Sequence, residues 1–160
     1  HFNVVPDILT IAKAMGGGMP IGAFIASKEI MDSLTSNPEL GHITTFGGHP
    51  VNCVAALTNI NELLKDNLIE FVEKKGQLFE EIITHPSIKQ IRRKGLFFAI
   101  EMGNPETVQK VVEGCKSRGV LSFWFLSCPE SFRIAPPLNI SENEIRISAK
   151  IIREVIESIN

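Results

Sequence analysis

The spacing of apolar residues changes several times along this chain, and each change marks an element. Residues 8–12 (ILTIA) and 21–26 (IGAFIA) are short apolar runs bounded by turn-forming residues, a pattern that predicts two buried strands, the first ending in a flexible turn. Residues 28–31 read as one helical turn. Across residues 33–50 no period survives, and Asn37-Pro38, Gly41, Gly47 and Gly48 interrupt the chain, so an ordered loop is expected. Pro50 suits the first position of a helix that runs to about residue 64, with Ala55 and Ala56 allowing close packing.

Beyond that point helical and strand periods alternate. Leu68, Phe71, Val72, Leu78, Phe79 and Ile82 fall at helical spacing and stop before His85-Pro86. Residues 88–92 and 96–102 predict two strands about Lys94-Gly95. Asn104 is a helix cap with Pro105 behind it, Val108, Val111, Val112 and Cys115 share one face, and Gly119 ends the helix. Residues 120–126 and 132–134 predict two more strands, the last halted by Pro136-Pro137. Ser141 and Glu144 form a capping box, and Ile145, Ile152, Val155, Ile156 and Ile159 continue at helical spacing. From about residue 66 the order is helix, two strands, helix, two strands, helix: an α+β layer with helices on one side of a small sheet. The expected division is 1–65 and 66–160, the first part an incomplete α/β unit. No internal repeat or low-complexity segment is visible. The chain opens at His1 with a segment already leading into a core strand, as a piece of a longer polypeptide would.

Composition narrows the function classes. Sixteen basic against eighteen acidic residues leave a net charge of −2, which gives no basic surplus for nucleic acid or an anionic membrane. No apolar run is long enough to span a bilayer and the first residues lack a signal-type pattern, so a cytoplasmic location is expected. Cys53, Cys115 and Cys128 are far apart with no C-x-x-C spacing; they read as reduced, mostly buried small hydrophobes, and no metal is expected.

Three segments carry candidate chemistry. In PDILTIAKAMGGGMPIGA, Lys13 ends a strand expected to be buried and is followed at once by glycines that leave space for its amine. Partial desolvation there favours the neutral amine, the nucleophile toward an aldehyde. The glycines are not a Walker phosphate loop, in which the lysine follows the glycines. By residue type alone, Lys13 reads more readily as a solvated strand-end lysine. In HITTFGGHP, the Thr45 hydroxyl with Gly47 and Gly48, just before a helix start, suits an anion such as phosphate. The same residues equally well turn the chain and cap the helix. In FRIAPPLNI, Arg133 lies within a short apolar strand, and its planar fork matches a carboxylate. Taken alone, an ion pair with Glu130 or Glu101 is the stronger reading.

Taken together and in this order, the three segments resemble the class-III aminotransferases, the ornithine, acetylornithine and GABA aminotransferase group. The likeness covers essentially the whole chain but only the later part of the family's polypeptide. It implies an α/β fold: the C-terminal part of a fold-type I transferase dependent on pyridoxal 5'-phosphate (PLP), with the end of the large α/β domain followed by the small C-terminal α+β domain. By resemblance, Lys13 is the Schiff-base lysine. Thr45, with Thr44 and Gly47 in the same motif, belongs to the loop reaching the cofactor phosphate, usually that of the neighbouring subunit. Arg133 matches the arginine that engages a substrate carboxylate. The sequence departs from the family at His49, where Asn is usual.

The activity implied is amino-group transfer from an amino acid or amine to an oxo acid such as 2-oxoglutarate, in a homodimer with its site at the subunit interface. Exposed apolar strands in the first unit would also call for a partner. The family's ring-nitrogen acid, stacking aromatic residue and first phosphate loop precede the lysine segment and are not in this sequence. Asp7 does not replace that acid. The resemblance therefore implies that these 160 residues alone are close to inactive. Three alternatives remain open: an aminomutase or decarboxylase using the same lysine, a non-catalytic C-terminal domain, and a phosphate-binding protein unrelated to pyridoxal.

Overall fold

Strand β1 (Ile8–Ile11) pairs antiparallel with β2 (Ala23–Ala26), Ile8 opposite Ala26 and Ile11 opposite Ala23. In this computed structural model, which describes residues 2–159, the two strands belong to the first of two units, His1–Asp66 and Asn67–Asn160. Between β1 and β2 a 3-10 turn spans Lys13–Gly16. Helix α1 (Lys28–Asp32) follows β2, with the Ser27 hydroxyl accepting from the Ile30 N–H. A further 3-10 turn at Ser33–Thr35 opens a stretch of turns that reaches α2 (Pro50–Lys65), where Pro50 takes the first turn because the N–H it lacks has no partner there.

The strands exist as expected, but their burial does not. Ile8 is 52% and Ile25 54% exposed, and neither β1 nor β2 contains a buried residue. The reason is topological: each strand has only the other as neighbour, and a two-stranded ribbon covers neither of its faces. On α2, Val51, Val54, Leu57 and Leu64 are exposed as well.

The second unit has a closed core. Helix α3 (Leu68–Ile83) is followed by the hairpin β3 (Gln90–Lys94) and β4 (Phe97–Glu101). Helix α4 (Pro105–Ser117), strands β5 (Phe123–Phe125) and β6 (Cys128–Ile134), and helix α5 (Glu142–Ile159) complete it. The four strands form one antiparallel sheet in the order β3-β4-β6-β5. Side chains alternate across a strand. Phe98, Ile100, Phe132 and Ile134 therefore point into one cluster with Phe79 and Ile83 of α3, Val108 and Val111 of α4, and Ile145, Ile152 and Ile156 of α5. Phe97 and Phe123, on the other face, are 50% and 44% exposed, so the three helices cover one side only.

Helix ends follow the capping chemistry. The Asn104 side chain accepts from the Thr107 N–H at 2.8 Å. At α5 the Ser141 hydroxyl accepts from the Glu144 N–H at 3.2 Å, and the Glu144 carboxylate accepts from the Ser141 N–H at 2.8 Å. The Ser141 hydroxyl and backbone hold the Glu144 carboxyl below the usual carboxylate range. Two strands differ from their apolar patterns. β5 is shorter than 120–126, because a register shift at Trp124/Phe125 interrupts its pairing. β6 is longer than 132–134, because Cys128 and Ser131 pair through the backbone although Pro129 and the polar Glu130 and Ser131 hide the strand in the sequence. Of the cysteines only Cys115 is buried, which pushes its thiol up to about 11. Cys53 is exposed on α2, and Cys128 is half-buried, its thiol facing Glu130 and Ser131 rather than the core.

Gly76 shows how tightly α3 meets the sheet. A Cβ there would collide with the Gly95 carbonyl oxygen and lie 2.9 Å from an Arg93 nitrogen. Arg93 is itself clamped between Glu80 at 2.6 Å and Glu73 at 2.9 Å. Gly76→Ala should therefore destabilise the protein, although alanine is the better helix former by about 1 kcal/mol. Overpacking against a backbone oxygen costs about 1–3 kcal/mol, and urea denaturation should show a lowered midpoint with an unchanged slope.

Candidate cofactor and carboxylate sites

Lys13 leaves β1 with φ +52°, in the left-handed region that a residue bearing a Cβ seldom adopts. The turn behind it is closed by Met15 N–H to Ala12 O and Gly17 N–H to Ala14 O, both 3.2 Å. Helix α2 holds this turn. The Asn59 side-chain amide donates to Ala14 O at 2.9 Å, and two helical turns earlier on the same face the Asn52 amide donates to Pro20 O at 2.6 Å. Gly17, at φ +59°, lies so close to α2 that a Cβ would sit 3.0 Å from Ala55 O and 3.1 Å from the Asn59 Cβ.

These contacts revise two expectations about the lysine segment. Gly17 is there for helix contact rather than to open space, and of Gly16, Gly17 and Gly18 only Gly18 has nothing within 4 Å of an added Cβ. Lys13 is exposed among the described residues, so the desolvation expected of a buried strand end is not supplied by them. The cause is the uncovered β1-β2 ribbon.

The hydroxyl loop stands at the N-terminus of α2. Residues 44–49, with 20–22 and Asn52, line a pocket of about 390 Å³. Thr44, Thr45 and Gly47 all line it, and Lys13 does not. Gly47 is required: a Cβ there would lie 2.5 Å from Thr44 Oγ1, displacing that hydroxyl. The Gly47 N–H is already bonded to Thr44 O at 3.2 Å, so it serves the turn rather than facing an anion as its motif suggests. The groups there that could hold an anion are therefore the two threonine hydroxyls and the amide end of a sixteen-residue helix. His49 is the residue before that helix and makes no side-chain cap.

Arg133 lies in the second unit, on the face of the sheet opposite the helices. The expected ion pair is not formed. Glu101 takes Arg92 at 2.7 Å, and Glu130 accepts the Cys128 thiol at 3.2 Å. Register explains this: Arg133 stands opposite Ala99 on β4 and Phe123 on β5, with neither carboxylate directly across. Among the described residues no carboxylate pairs with Arg133, and its guanidinium lies over the Phe123 ring, 5.6 Å from the centroid.

Asn52 and Asn59 were not singled out from the sequence. Their signal is two amides seven residues apart, hence on one face of a helix whose other positions there are small, following a loop of turn residues. Among the described residues no cluster of histidine, cysteine or acidic side chains could hold a metal ion, and no helix is long and apolar enough to cross a membrane.

A lysine turn followed by a threonine-glycine loop against one helix, and an arginine on an open sheet face, are joined here in one α/β chain. The chain belongs to the class-III aminotransferase family, whose model matches residues 1–156. It is 37% identical to an acetylornithine aminotransferase of Caldanaerobacter subterraneus subsp. tengcongensis, over 99% of this chain and 40% of that protein. The solved acetylornithine aminotransferase of Elizabethkingia anophelis is 33% identical, with a TM-score of 0.83 over 98% of this chain and 40% of its own. The ornithine aminotransferase of Toxoplasma gondii, crystallised with partial occupancy of PLP at its active site, is 30% identical, with a TM-score of 0.86 over 98% of this chain and 38% of its own. The fold is thus that of part of a fold-type I aminotransferase, and the chain spans about two fifths of the length of these relatives.

Gly17→Ala tests whether α2 seats the lysine turn. A side chain at positive φ against a helix backbone should cost about 1–3 kcal/mol. Hydrogen exchange should show faster opening of residues 13–19, with α5 amides unchanged.

Proposed function

We propose that this chain carries the cofactor-linking lysine, the phosphate loop and the small C-terminal domain of a PLP-dependent aminotransferase. Residues 1–65 are read as the end of the large domain and 66–160 as the small domain. The enzyme would move an amino group from an amino acid or amine to an oxo acid such as 2-oxoglutarate. The observation that carries this reading is the double hold of α2 on the lysine turn, through Asn59 and Asn52, while the same helix presents its N-terminus to the Thr44–Gly47 pocket. One rigid element thereby sets both candidate cofactor contacts.

The residues suit PLP. Lys13 offers a primary amine on a backbone fixed by hydrogen bonds. Gly47 leaves a recess that any side chain would fill, so that the Thr44 hydroxyl keeps its place beside Thr45. When bound, PLP supplies an aldehyde for covalent linkage and a pyridine ring that withdraws electrons from the bond to be broken. Lys13 Nζ would link to that aldehyde and, once displaced by the substrate amine, take a proton from the substrate carbon and return it elsewhere. Thr45, with Thr44, would bind phosphate oxygens. Arg133 would hold a substrate carboxylate by two parallel hydrogen bonds, its fork being free of any carboxylate among the described residues. Lys13 and the threonine pocket do not meet, which suits a homodimer in which each copy's loop serves the other copy's lysine. The exposed apolar surface of β1, β2 and α2 supports an assembly of that kind.

Borohydride treatment of the full-length protein with PLP should place one pyridoxyl phosphate group on Lys13, read by peptide mass spectrometry, and Lys13→Ala should remove it. Scattered labelling of other lysines would overturn the reading. Thr45→Ala should weaken PLP binding about ten- to a hundredfold, since a hydrogen bond to a charged group contributes about 1.5–3 kcal/mol.

A further inference from the structure

The open face of the second sheet carries a cation among aromatic rings. Arg133 sits near the end of β6, an inner strand of the sheet, between two cross-strand neighbours in direct register: Ala99 on β4 and Phe123 on β5. Ala99 offers a single methyl group and cannot restrain a long side chain. Phe123 places its ring under the guanidinium, 5.6 Å from its centroid, within the range of a cation–π contact. The Phe123 ring is in turn held by stacking on Trp124, with centroids 4.2 Å apart and planes 15° from parallel. Phe97 and Phe125, from the strands flanking β6, meet edge to face at 6.2 Å and add apolar surface to this part of the sheet.

From this geometry we infer that Phe123 is a positioning residue for Arg133, holding the guanidinium by its face so that its N–H edge stays available to a substrate carboxylate. The physical reason is competition. A free arginine on an exposed sheet samples many rotamers and is drawn to nearby acids; Glu130 is on its own strand and Glu101 stands opposite Ser131 on β4. Glu101 is taken by Arg92 and Glu130 accepts from Cys128, leaving the ring as the contact that orients Arg133. A ring binds only the face of the fork and consumes none of its five N–H donors, whereas a carboxylate partner would occupy the donors the substrate needs. The stacked Trp124 keeps the platform flat without a polar contact of its own. The inference rests on Arg133 being the carboxylate site.

The test uses glutarate, a dicarboxylate without an amine, and calorimetric binding to the full-length, PLP-loaded protein. Phe123→Leu keeps apolar bulk and removes the ring face; it should raise the glutarate Kd about three- to tenfold, the span of cation–π contacts from exposed to partly desolvated settings. Phe123→Tyr should stay within about twofold of the parent. The Kd for PLP itself, measured on the cofactor-free protein, should not move in either variant. If Phe123→Leu weakens PLP and glutarate alike, or destroys the fold while Phe123→Tyr also loses glutarate, Phe123 is a structural residue and the inference fails. If Phe123→Leu leaves glutarate unchanged while Arg133→Ala abolishes binding, the inference fails and the role of Arg133 stands. Should Arg133→Ala leave glutarate binding intact, the assignment of Arg133 falls, and the role of Phe123 with it.

Discussion

Helix α2 and the lysine turn approach so closely at Gly17 that an added Cβ would crowd Ala55 O and the Asn59 Cβ, and the chemistry available to the first unit depends on that approach. A positive φ at Lys13 is costly on its own, of the order of 1 kcal/mol or more, and would relax if nothing opposed it. Two asparagine amides oppose it by binding backbone carbonyls on either side of the glycine run, Ala14 before it and Pro20 after it. The same helix starts beside the Thr44–Gly48 turn, so orienting the helix orients the lysine backbone and the hydroxyl loop together. Strain at one residue is thus held by ordinary hydrogen bonds at two others.

The second unit solves a different problem. Its sheet must expose one face, and it does so by placing all the large branched and aromatic core residues on the helix side. The exposed face is not uniform. At one end Arg92 gathers Glu101, Gln90 and Ser131 into a polar network, which satisfies the charges locally. On the other side of Ala99 in the same cross-strand row, Arg133 lies over the Phe123 ring. A charged fork over a ring retains its hydrogen-bonding edge, which sets Arg133 apart from the ion-paired Arg92 on the same sheet.

Much of this was readable from residue order. Helix limits at Asn104-Pro105 and Ser141–Glu144 follow from capping groups that act within a few residues, and the hairpin about Gly95 follows from a local turn. The family likeness was carried by three short motifs whose backbone conformations are local too. The errors had a common origin in non-local contact. Burial was expected for residues 8–12 and 21–26 because apolar strands usually lie in a sheet interior, yet here each strand has a single neighbour. The apolar pattern marks only residues 132–134 of β6 because Pro129 and the polar Glu130 and Ser131 interrupt it, whereas its backbone pairing with β4 and β5 does not depend on side-chain polarity. An arginine in an apolar strand calls for an acid such as Glu101 or Glu130, but both acids have other partners, Arg92 and the Cys128 thiol.

The order of elements, the sites of capping, the lysine and threonine motifs and the arginine strand were all set by the sequence itself, because propensity, turn geometry and motif spacing act over distances of a few residues. Which apolar faces close, which glycines are needed for contact rather than freedom, that Asn52 and Asn59 hold the lysine turn, and that Arg133 rests on Phe123 were decided only in three dimensions. Each of those outcomes joins residues brought together by strand register or helix placement, and a linear pattern does not specify which residues will face one another across such a gap.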